Sequence, residues 1–251
     1  MATRVEVYKP YLGAGKVYLR DASKATSPRY EIGNVSELKL AIDEEVIEQK
    51  DHTSAGGGTH AEVRRISSVE ASMVLHDLNA DNIALATRGT NSHIEAGTIS
   101  DEVATAFAGS LVRLAHPQPT EVVVTSSDGE TTYTDYEVRP EGLFIKAAGD
   151  IATADASGEG VAIKVAYKHE GYDQIEALTT GGVPWEISFG GINEADSNKP
   201  VLVDLHKVNL GAASELSLIG DSLGSIALQG KLLKDASKGA GKSAYYRVQQ
   251  G

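Results

Sequence analysis

Alternation of apolar and polar residues constrains the fold of this chain more than any other feature of its sequence. Within residues 66–76, ISSVEASMVLH, the apolar residues Val69, Ala71, Met73 and Leu75 recur at every second position. Alternate side chains of an extended strand share one face, whereas an amphipathic helix needs spacings of three and four residues. The run therefore predicts a β-strand with one buried face.

A second alternating run, SELKLAIDEE, begins at Ser36 and places Leu38, Leu40 and Ile42 on one face. The opposite face and the residues after it are rich in charge, with six acids and two bases: Glu37, Asp43, Glu44, Glu45, Glu48, Asp51, Lys39 and Lys50. Such a strand either forms a solvated outer face or repels a negatively charged partner.

Turn signals and β-branched residues make residues 119–180 the clearest β region. The tripeptide Ser127-Asp128-Gly129 separates residues 121–125 from residues 131–138. Asp-Gly between β-branched runs favours a tight hairpin, because both turn positions need positive φ. Further strands are predicted at residues 143–146, 161–168, 184–189, 200–210 and 225–234. The fold class is therefore mainly β.

Residues 77–89 predict a short helix beside these strands. Asp77 or Asn79 can serve as its N-cap, and Gly89 suits the C′ position that follows a helix. The segment after Ser100 allows two interpretations. Apolar residues recur there every four positions, which favours a helix, but residues 111–115 also suit a strand.

Three consecutive glycines, Gly56, Gly57 and Gly58, interrupt the chain between the two alternating runs. Glycine is unfavourable inside strands and helices because it loses the most conformational freedom on folding. Residues 49–65 are therefore predicted to form a long mobile loop, and loops of this length are often functional.

The pattern G-x-x-S-E-L-x-L occurs twice, at residues 33–40 and 211–218. It marks two strands with equivalent roles in a sheet, or it is a coincidence of common residues. A strand is also predicted at residues 214–219, within the second copy.

Composition excludes several classes of protein. The 251 residues include 23 Lys and Arg against 35 Asp and Glu, a net charge of −12, which argues against a protein that grips nucleic acid. The absence of cysteine excludes disulfides and thiolate ligands and fits a reducing cytoplasm. We expect no signal peptide and no membrane span, because no apolar run approaches the roughly 20 residues that a span needs.

Catalytic and metal-binding motifs are weak. Ser222 lies in GDSLG, which fits G-x-S-x-G, but a nucleophile elbow needs a preceding strand, a following helix and a later histidine, and the last histidine is His206. Gly241-Lys242-Ser243 lacks the first glycine of a P-loop and a following helix. The scattered histidines are interpreted as surface residues, so no metal and no cofactor are expected.

Several stretches, in their order along the chain, resemble a major tail tube protein of a long-tailed bacteriophage. They are IGN before SELKLAIDEE, the glycine loop, RRISSVEASMVLHDLNADNIALATRG, TDYEVRPEGLFI with VAIKVAYKH, PWEISFGGINEADSNKPVLVDLHKVNL and SIALQGKLLKD. The similarity covers most of residues 30–235. No single stretch is a sharp signature, but their order is specific.

The resemblance implies a non-enzymatic β-sandwich or barrel with one short flanking helix, whose extended strands join those of neighbouring subunits. Six copies form a ring, and stacked rings form the tube through which DNA passes without specific binding. The implied partners are other copies, the tape-measure protein, and the tail terminator and tail-tip proteins. The protein is then made in the host bacterial cytoplasm and resides in the virion tail, which the resemblance suggests is non-contractile.

Residue roles follow from this resemblance as expectations. Four residues opposite Leu38 and Leu40 are candidates for the tube lumen: Glu37, Lys39, Asp43 and Glu45. Candidates for ring-stacking contacts lie in the predicted loop: Asp51, Gly56, Gly57, Gly58, His60 and Arg64. The tube domain would comprise residues 1–115 and 179–251, with an inserted β module at 116–178. The alternatives are a β-sandwich module that binds a receptor or carbohydrate, and a serine hydrolase using Ser222.

Overall fold

The computed structural model describes residues 9–53 and 55–251. These residues form seventeen strands and two short helices, so the predicted mainly β fold is confirmed. The strands form several antiparallel sheets, and within the described residues none closes into a barrel.

The elements up to the middle of the chain are β1 (Gly13–Asp21), β2 (Tyr30–Glu31), β3 (Val35–Lys50), β4 (Thr59–Leu75), α1 (Ala80–Ala86), β5 (Thr90–Ile94), β6 (Gly97–Ala106), β7 (Leu111–Arg113), β8 (Thr120–Ser126) and β9 (Thr132–Tyr133). They are followed by β10 (Tyr136–Arg139), β11 (Gly142–Ile145), α2 (Asp150–Ala154), β12 (Val161–His169), β13 (Tyr172–Glu176), β14 (Pro184–Asn193), β15 (Lys199–Leu210), β16 (Ile226–Leu232) and β17 (Tyr246–Gln250).

The chain divides into two compact units. Unit 1 combines the residues up to Asn91 with Ile175–Gly251, and unit 2 is Ser92–Gln174. The chain enters and leaves unit 2 through β5 and β13, which pair with each other. Unit 2 starts earlier than the insertion predicted at 116–178, because β6 and β7 pair with β12 and β11 inside it.

Unit 1 is built on one sheet with the strand order β2-β1-β14-β15-β16-β4-β3, and β17 pairs with β15. One face of this sheet is apolar, and its core includes Leu19, Met73, Leu75, Ile187 and Leu228, each at most 3% exposed. Burying a side chain of this size stabilises the fold by about 1.5–3 kcal/mol. The alternation predicted for residues 69–75 therefore matches the buried positions of β4.

Helix α1 packs against this core through Ala86, with Ile83 and Leu85 beside it. Of the two predicted N-caps, Asn79 is the one used, because its Oδ1 accepts a hydrogen bond from the Asn82 backbone N–H at 2.9 Å. At the other end Thr87 is the C-cap.

The prediction that Gly89 occupies the C′ position is wrong, because Arg88 follows the C-cap Thr87. Arg88 takes the left-handed conformation, with a φ of 49°. Gly89 is required for a different reason, since a Cβ there would lie 2.6 Å from the Glu176 carbonyl oxygen.

Unit 2 contains a four-stranded sheet, β6-β12-β8-β9, and a three-stranded sheet, β10-β11-β7. Its own core includes Ile163, Val165, Leu143, Ile145 and Ile151 of α2, all fully buried. The hairpin predicted at Asp128-Gly129 is confirmed, because Val124 pairs with Tyr133 across that turn, but only Gly129 of the two turn residues has the predicted positive φ.

The helix predicted after Ser100 is wrong, because residues 97–106 form strand β6. The apolar side chains of the helical pattern, Val103 and Phe107, remain exposed. The segment instead pairs with β12 along its length, which satisfies its backbone hydrogen bonds and buries Ala106. The alternative interpretation of residues 111–115 as strand is correct for β7.

The repeated G-x-x-S-E-L-x-L pattern adopts two different structures. Residues 35–40 of the first copy belong to β3, whereas residues 211–225 contain no strand or helix. The strand predicted at 214–219 is therefore wrong. Among the described residues, no helix is long and apolar enough to span a membrane.

Candidate functional site

The β3–β4 hairpin extends beyond the sheet as an arm, which we define as residues 41–50 and 59–67. All described side chains of the arm are exposed, in contrast to the inner half of β4. The cross-strand register continues from Ile42 and Val69 out to Lys50 and Thr59. The arm is therefore a two-stranded ribbon and not a disordered extension.

This ribbon corrects the loop predicted at residues 49–65. His60 and Arg64 lie in strand β4, and the turn itself is confined to residues 51–58, closed by a hydrogen bond from the Asp51 N–H to the Gly58 carbonyl at 2.7 Å. Val63 and Ile66 give β4 the β-branched character that sustains pairing.

The turn at the tip of the arm contains the remaining predicted contact residues. The Asp51 carboxylate accepts hydrogen bonds from the backbone N–H and the hydroxyl of Thr53. Gly56 and Gly57 have positive φ, and a Cβ at Gly56 or Gly58 would meet no atom within 4 Å. Ser54 lies outside the described residues. The tip therefore presents an open, glycine-rich turn to its surroundings.

Large apolar side chains project from both faces of the arm. Five of them are between 42% and 54% exposed: Ile42, Val46, Ile47, Val63 and Ile66. Each of these would gain by burial against a partner surface. The arm thus combines apolar surface with a strand conformation, which suits a contact with another chain.

The outer edge of β3 offers a second means of association. Among the described residues, β3 pairs only with β4, so one side of this 16-residue strand has unpaired N–H and C=O groups. Proteins usually shorten, cover or charge such edges, because they pair readily with other strands. An edge of this length is a template for adding a strand from a second chain.

The opposite side of the unit 1 sheet from its core forms a polar face. The four residues predicted to share one side of β3 do so here: Glu37, Lys39, Asp43 and Glu45. Their cross-strand partners Val74, Ser72, Ser68 and Arg65 lie on the same face. The Asp43 carboxylate accepts a hydrogen bond from Ser68 Oγ at 2.6 Å.

Ion pairs cross the polar face from one edge to the other. Alternation along the paired strands places six of them there: Lys16–Glu31 at 2.9 Å, Arg20–Glu186, Arg29–Glu186 at 2.5 Å, Arg247–Asp204 at 2.7 Å, Lys231–Glu70 at 3.5 Å and Lys39–Glu37 at 2.6 Å. Sequence reasoning missed this arrangement, because most of the paired residues are far apart in the chain.

Glu186 and Asp204 are the most buried acids of these ion pairs. Burial alone would raise the pKa of Glu186, but hydrogen bonds from Arg29 and Arg20 outweigh it and hold that pKa below its usual range. Burial acts in the same way on Asp204, and Arg247 and Ser188 lower its pKa. Both groups are therefore ionised at neutral pH and hold their arginines in place.

A histidine and tyrosine cluster in unit 2 corrects the interpretation of all histidines as surface residues. His169 is buried, and its ring stacks on that of His116 with centroids 3.9 Å apart and planes 1° from parallel. His116 Nδ1 lies 3.0 Å from the Tyr172 hydroxyl. Burial and a hydrogen bond to Glu102 raise the pKa of Tyr167. Parallel rings cannot converge on one ion, and no group of metal-ligating residues is found among the described residues.

The segment around Ser222 lacks the geometry of a nucleophile elbow. Residues 211–225 form neither the strand that would precede the serine nor the helix that would follow it. Ser222 is exposed in this irregular segment. The motif therefore does not hold the serine in the strained turn that such catalysis needs.

A cleft of about 620 Å³ lies beside α1 in unit 1 and includes Tyr30, Arg88 and Trp185 in its wall. Several of its polar groups are already engaged within the unit. Arg88 Nη2 donates to the Leu210 carbonyl, and Asn82 Nδ2 donates to the carbonyls of Ile32 and Asp77. These hydrogen bonds hold part of the polar lining in place, whereas Arg88 Nε has no hydrogen-bond partner among the described residues.

The fold and its surfaces define a mainly β protein with an exposed, strand-paired arm and an ion-paired sheet face. The family model described as protein of unknown function UCP028589 matches residues 10–249. The chain belongs to this family. A search of curated proteins finds no match.

Proposed function

We propose that this protein is a structural subunit of a bacteriophage tail tube, in which stacked homohexameric rings form a conduit for DNA. The observation that carries the proposal is the β3–β4 arm, with its exposed apolar residues and open strand edge. The six-fold ring, the stacking and the long-tailed, non-contractile phage come from the resemblance noted above. Its role is structural rather than catalytic.

Physical chemistry connects the arm to assembly. A neighbouring subunit that adds a strand to β3 satisfies its unpaired backbone groups, and repetition around a ring leaves no open edge. Apolar residues such as Val46 and Val63 become buried in a contact between copies. A head-to-tail contact that closes gives a ring, and rings that stack with a rotation give a tube.

The remaining partners and the location follow from the same proposal. The protein is made in the host bacterial cytoplasm and is incorporated into the virion tail. Its copies contact each other, the tape-measure protein within the tube, and terminator and tail-tip proteins at the ends. Duplex DNA passes along the polar face without specific binding.

Electron microscopy of the purified protein at high concentration tests the proposal. We expect rings or tubes from the natural chain and none from Val63→Lys, because a charge on the arm would be buried in the contact. Val103→Lys is the matched control, since Val103 is an exposed strand valine of unit 2. Isolated globular particles from the natural chain at every concentration would contradict the proposal.

A further inference from the structure

The polar face has a regularity that folding stability does not explain. Lys16, Lys39 and Lys231 are each more than 60% exposed, and each is paired with a carboxylate. Exposed ion pairs of this kind contribute about 0–1 kcal/mol to stability. Their recurrence across the sheet therefore calls for another physical role.

We propose that these ion pairs make the polar face inert towards polyanions such as duplex DNA, an inference that rests on the proposed function, in which DNA crosses this face. Proteins bind DNA largely by placing free Lys and Arg side chains against phosphates and releasing condensed counterions. A cation that already neutralises a carboxylate must break that pair before it can bind a phosphate. The released carboxylate would then repel the DNA.

Distances support this mechanism. The nitrogen and oxygen atoms of the three lysine pairs are 2.6–3.5 Å apart. At distances well beyond this separation the opposite charges of a pair largely cancel, and dissolved salt screens the field that remains. Over these pairs DNA therefore meets dipoles and not free cations, whereas Arg65 on the same face has no ion pair among the described residues.

Glu186 extends the same arrangement to arginine, which binds phosphate more strongly than lysine does. Glu186 is 6% exposed, and its carboxylate accepts hydrogen bonds from both Arg20 and Arg29. Guanidinium groups bind phosphates through two parallel hydrogen bonds, and a carboxylate competes for the same geometry. One buried acid thus occupies two arginines of the polar face.

Net charge is distributed unevenly between the two units, which leaves ion pairing as the main way to keep cations of the polar face from binding DNA. Unit 1 has 21 acidic and 18 basic residues, a net charge of −3, whereas unit 2 has 14 and five, a net charge of −9. Most of the net negative charge therefore lies outside the unit that carries the polar face. Unit 1 therefore has only a small net negative charge with which to repel DNA.

The test uses the full-length chain and a short, fluorescently labelled DNA duplex at low salt, with binding followed by anisotropy. The triple variant Glu31→Gln, Glu37→Gln, Glu70→Gln releases Lys16, Lys39 and Lys231. The matched control Glu130→Gln, Glu141→Gln, Glu159→Gln changes the net charge equally in unit 2. We expect the first triple variant to bind DNA at least about tenfold more tightly than the natural chain, with log K falling by about 0.9 per contacted phosphate against log salt.

The control variant should bind DNA no better than the natural chain. Equal DNA binding by the two triple variants would overturn the inference, since net charge and not ion pairing would then control the affinity for DNA. Tight binding by the natural chain, or no gain in the first variant, would also overturn it. Glu186→Gln, checked for folding by circular dichroism, should show the same gain through Arg20 and Arg29. Tube formation is scored separately by microscopy. If the natural chain forms no tubes but the first triple variant gains DNA binding, the proposed tube function is rejected and the proposed role of the ion pairs is retained.

Discussion

At the residue scale, a single glycine connects the start of β3 to the start of α1. Gly33 has a φ of 84°, and a Cβ on it would lie 2.1 Å from Asp77 Oδ2. That oxygen accepts a hydrogen bond from the Asn34 backbone N–H at 2.7 Å. The His76 N–H in turn donates to the Asn34 carbonyl. Gly33 therefore permits both the left-handed turn and the close approach of the carboxylate.

Gly33→Ala should lower the free energy of unfolding by about 1–3 kcal/mol, because a non-glycine residue is strained in this conformation and collides with Asp77. Urea denaturation measures the change. Gly58→Ala is the control, since its Cβ would meet no atom, and we expect a change within about 0.5 kcal/mol. A cost that is the same at both positions would disprove the role of Gly33.

The exposed pair of His93 and Asp173 gives a pH-dependent prediction. The hydrogen bond from His93 Nδ1 to Asp173, at 2.8 Å, raises the pKa of His93. The pair stabilises the fold below the ordinary histidine pKa, and this contribution is lost as pH rises through the higher folded-state pKa. NMR titration of Asp173→Asn should show a lower His93 pKa. Asp101→Asn should leave it unchanged, and an unshifted His93 in both variants would refute the assignment.

At the scale of elements, strand β4 combines two environments in one uninterrupted strand. Its inner half, from Val69 to Leu75, alternates between buried and half-buried positions, whereas its outer half is exposed throughout. An irregularity in the register between Asp43 and Glu44 marks the place where the hairpin leaves the sheet. The inner half serves the fold, and the outer half is free to serve contacts with another chain.

The loss of stability caused by alanine substitutions along β4 should therefore differ between its inner and outer halves. Leu75→Ala removes a fully buried side chain and should cost about 2–5 kcal/mol of unfolding free energy. Ile66→Ala, on the half-exposed arm, should cost less than about 1 kcal/mol in the monomer. Chemical denaturation of dilute protein measures both. Similar costs would show that the arm packs against the fold.

At the scale of the whole molecule, the two units have separate cores. The buried core of unit 2 consists of residues from Ala106 to Tyr167, and that of unit 1 uses residues up to Ala86 and from Ile187 onwards. The chain crosses between the units only through β5 and β13, which lie side by side. A segment with its own core and adjacent ends meets the physical criteria for a domain.

Residues 92–174 should consequently fold as an isolated fragment. We expect a cooperative thermal transition, followed by circular dichroism. The same fragment with Ile163→Asp should lack this transition, because a carboxylate at a fully buried position cannot be solvated. A natural fragment that melts without cooperativity would show that unit 2 depends on the rest of the chain.

Local sequence patterns determined much of the secondary structure. The alternation at residues 69–75, the Asp128-Gly129 turn and the capped helix before Thr87 are all present, since each depends on residues close together in the chain. The same reasoning misassigned β6 as a helix. Its partner β12 begins 55 residues after β6 ends, and no local pattern reveals that pairing.

Tertiary structure alone decided which residues meet on the surfaces. The sequence by itself grouped Glu37, Lys39, Asp43 and Glu45 on one face, because alternation within one strand is a local property. The pairing of Arg20 with Glu186, 166 positions away, follows only from the order of the strands in the sheet. The two copies of G-x-x-S-E-L-x-L make the same point, since only the first copy contains a strand that pairs with another strand. Neighbours in the chain determine local conformation, whereas long-range pairing determines which faces and edges exist.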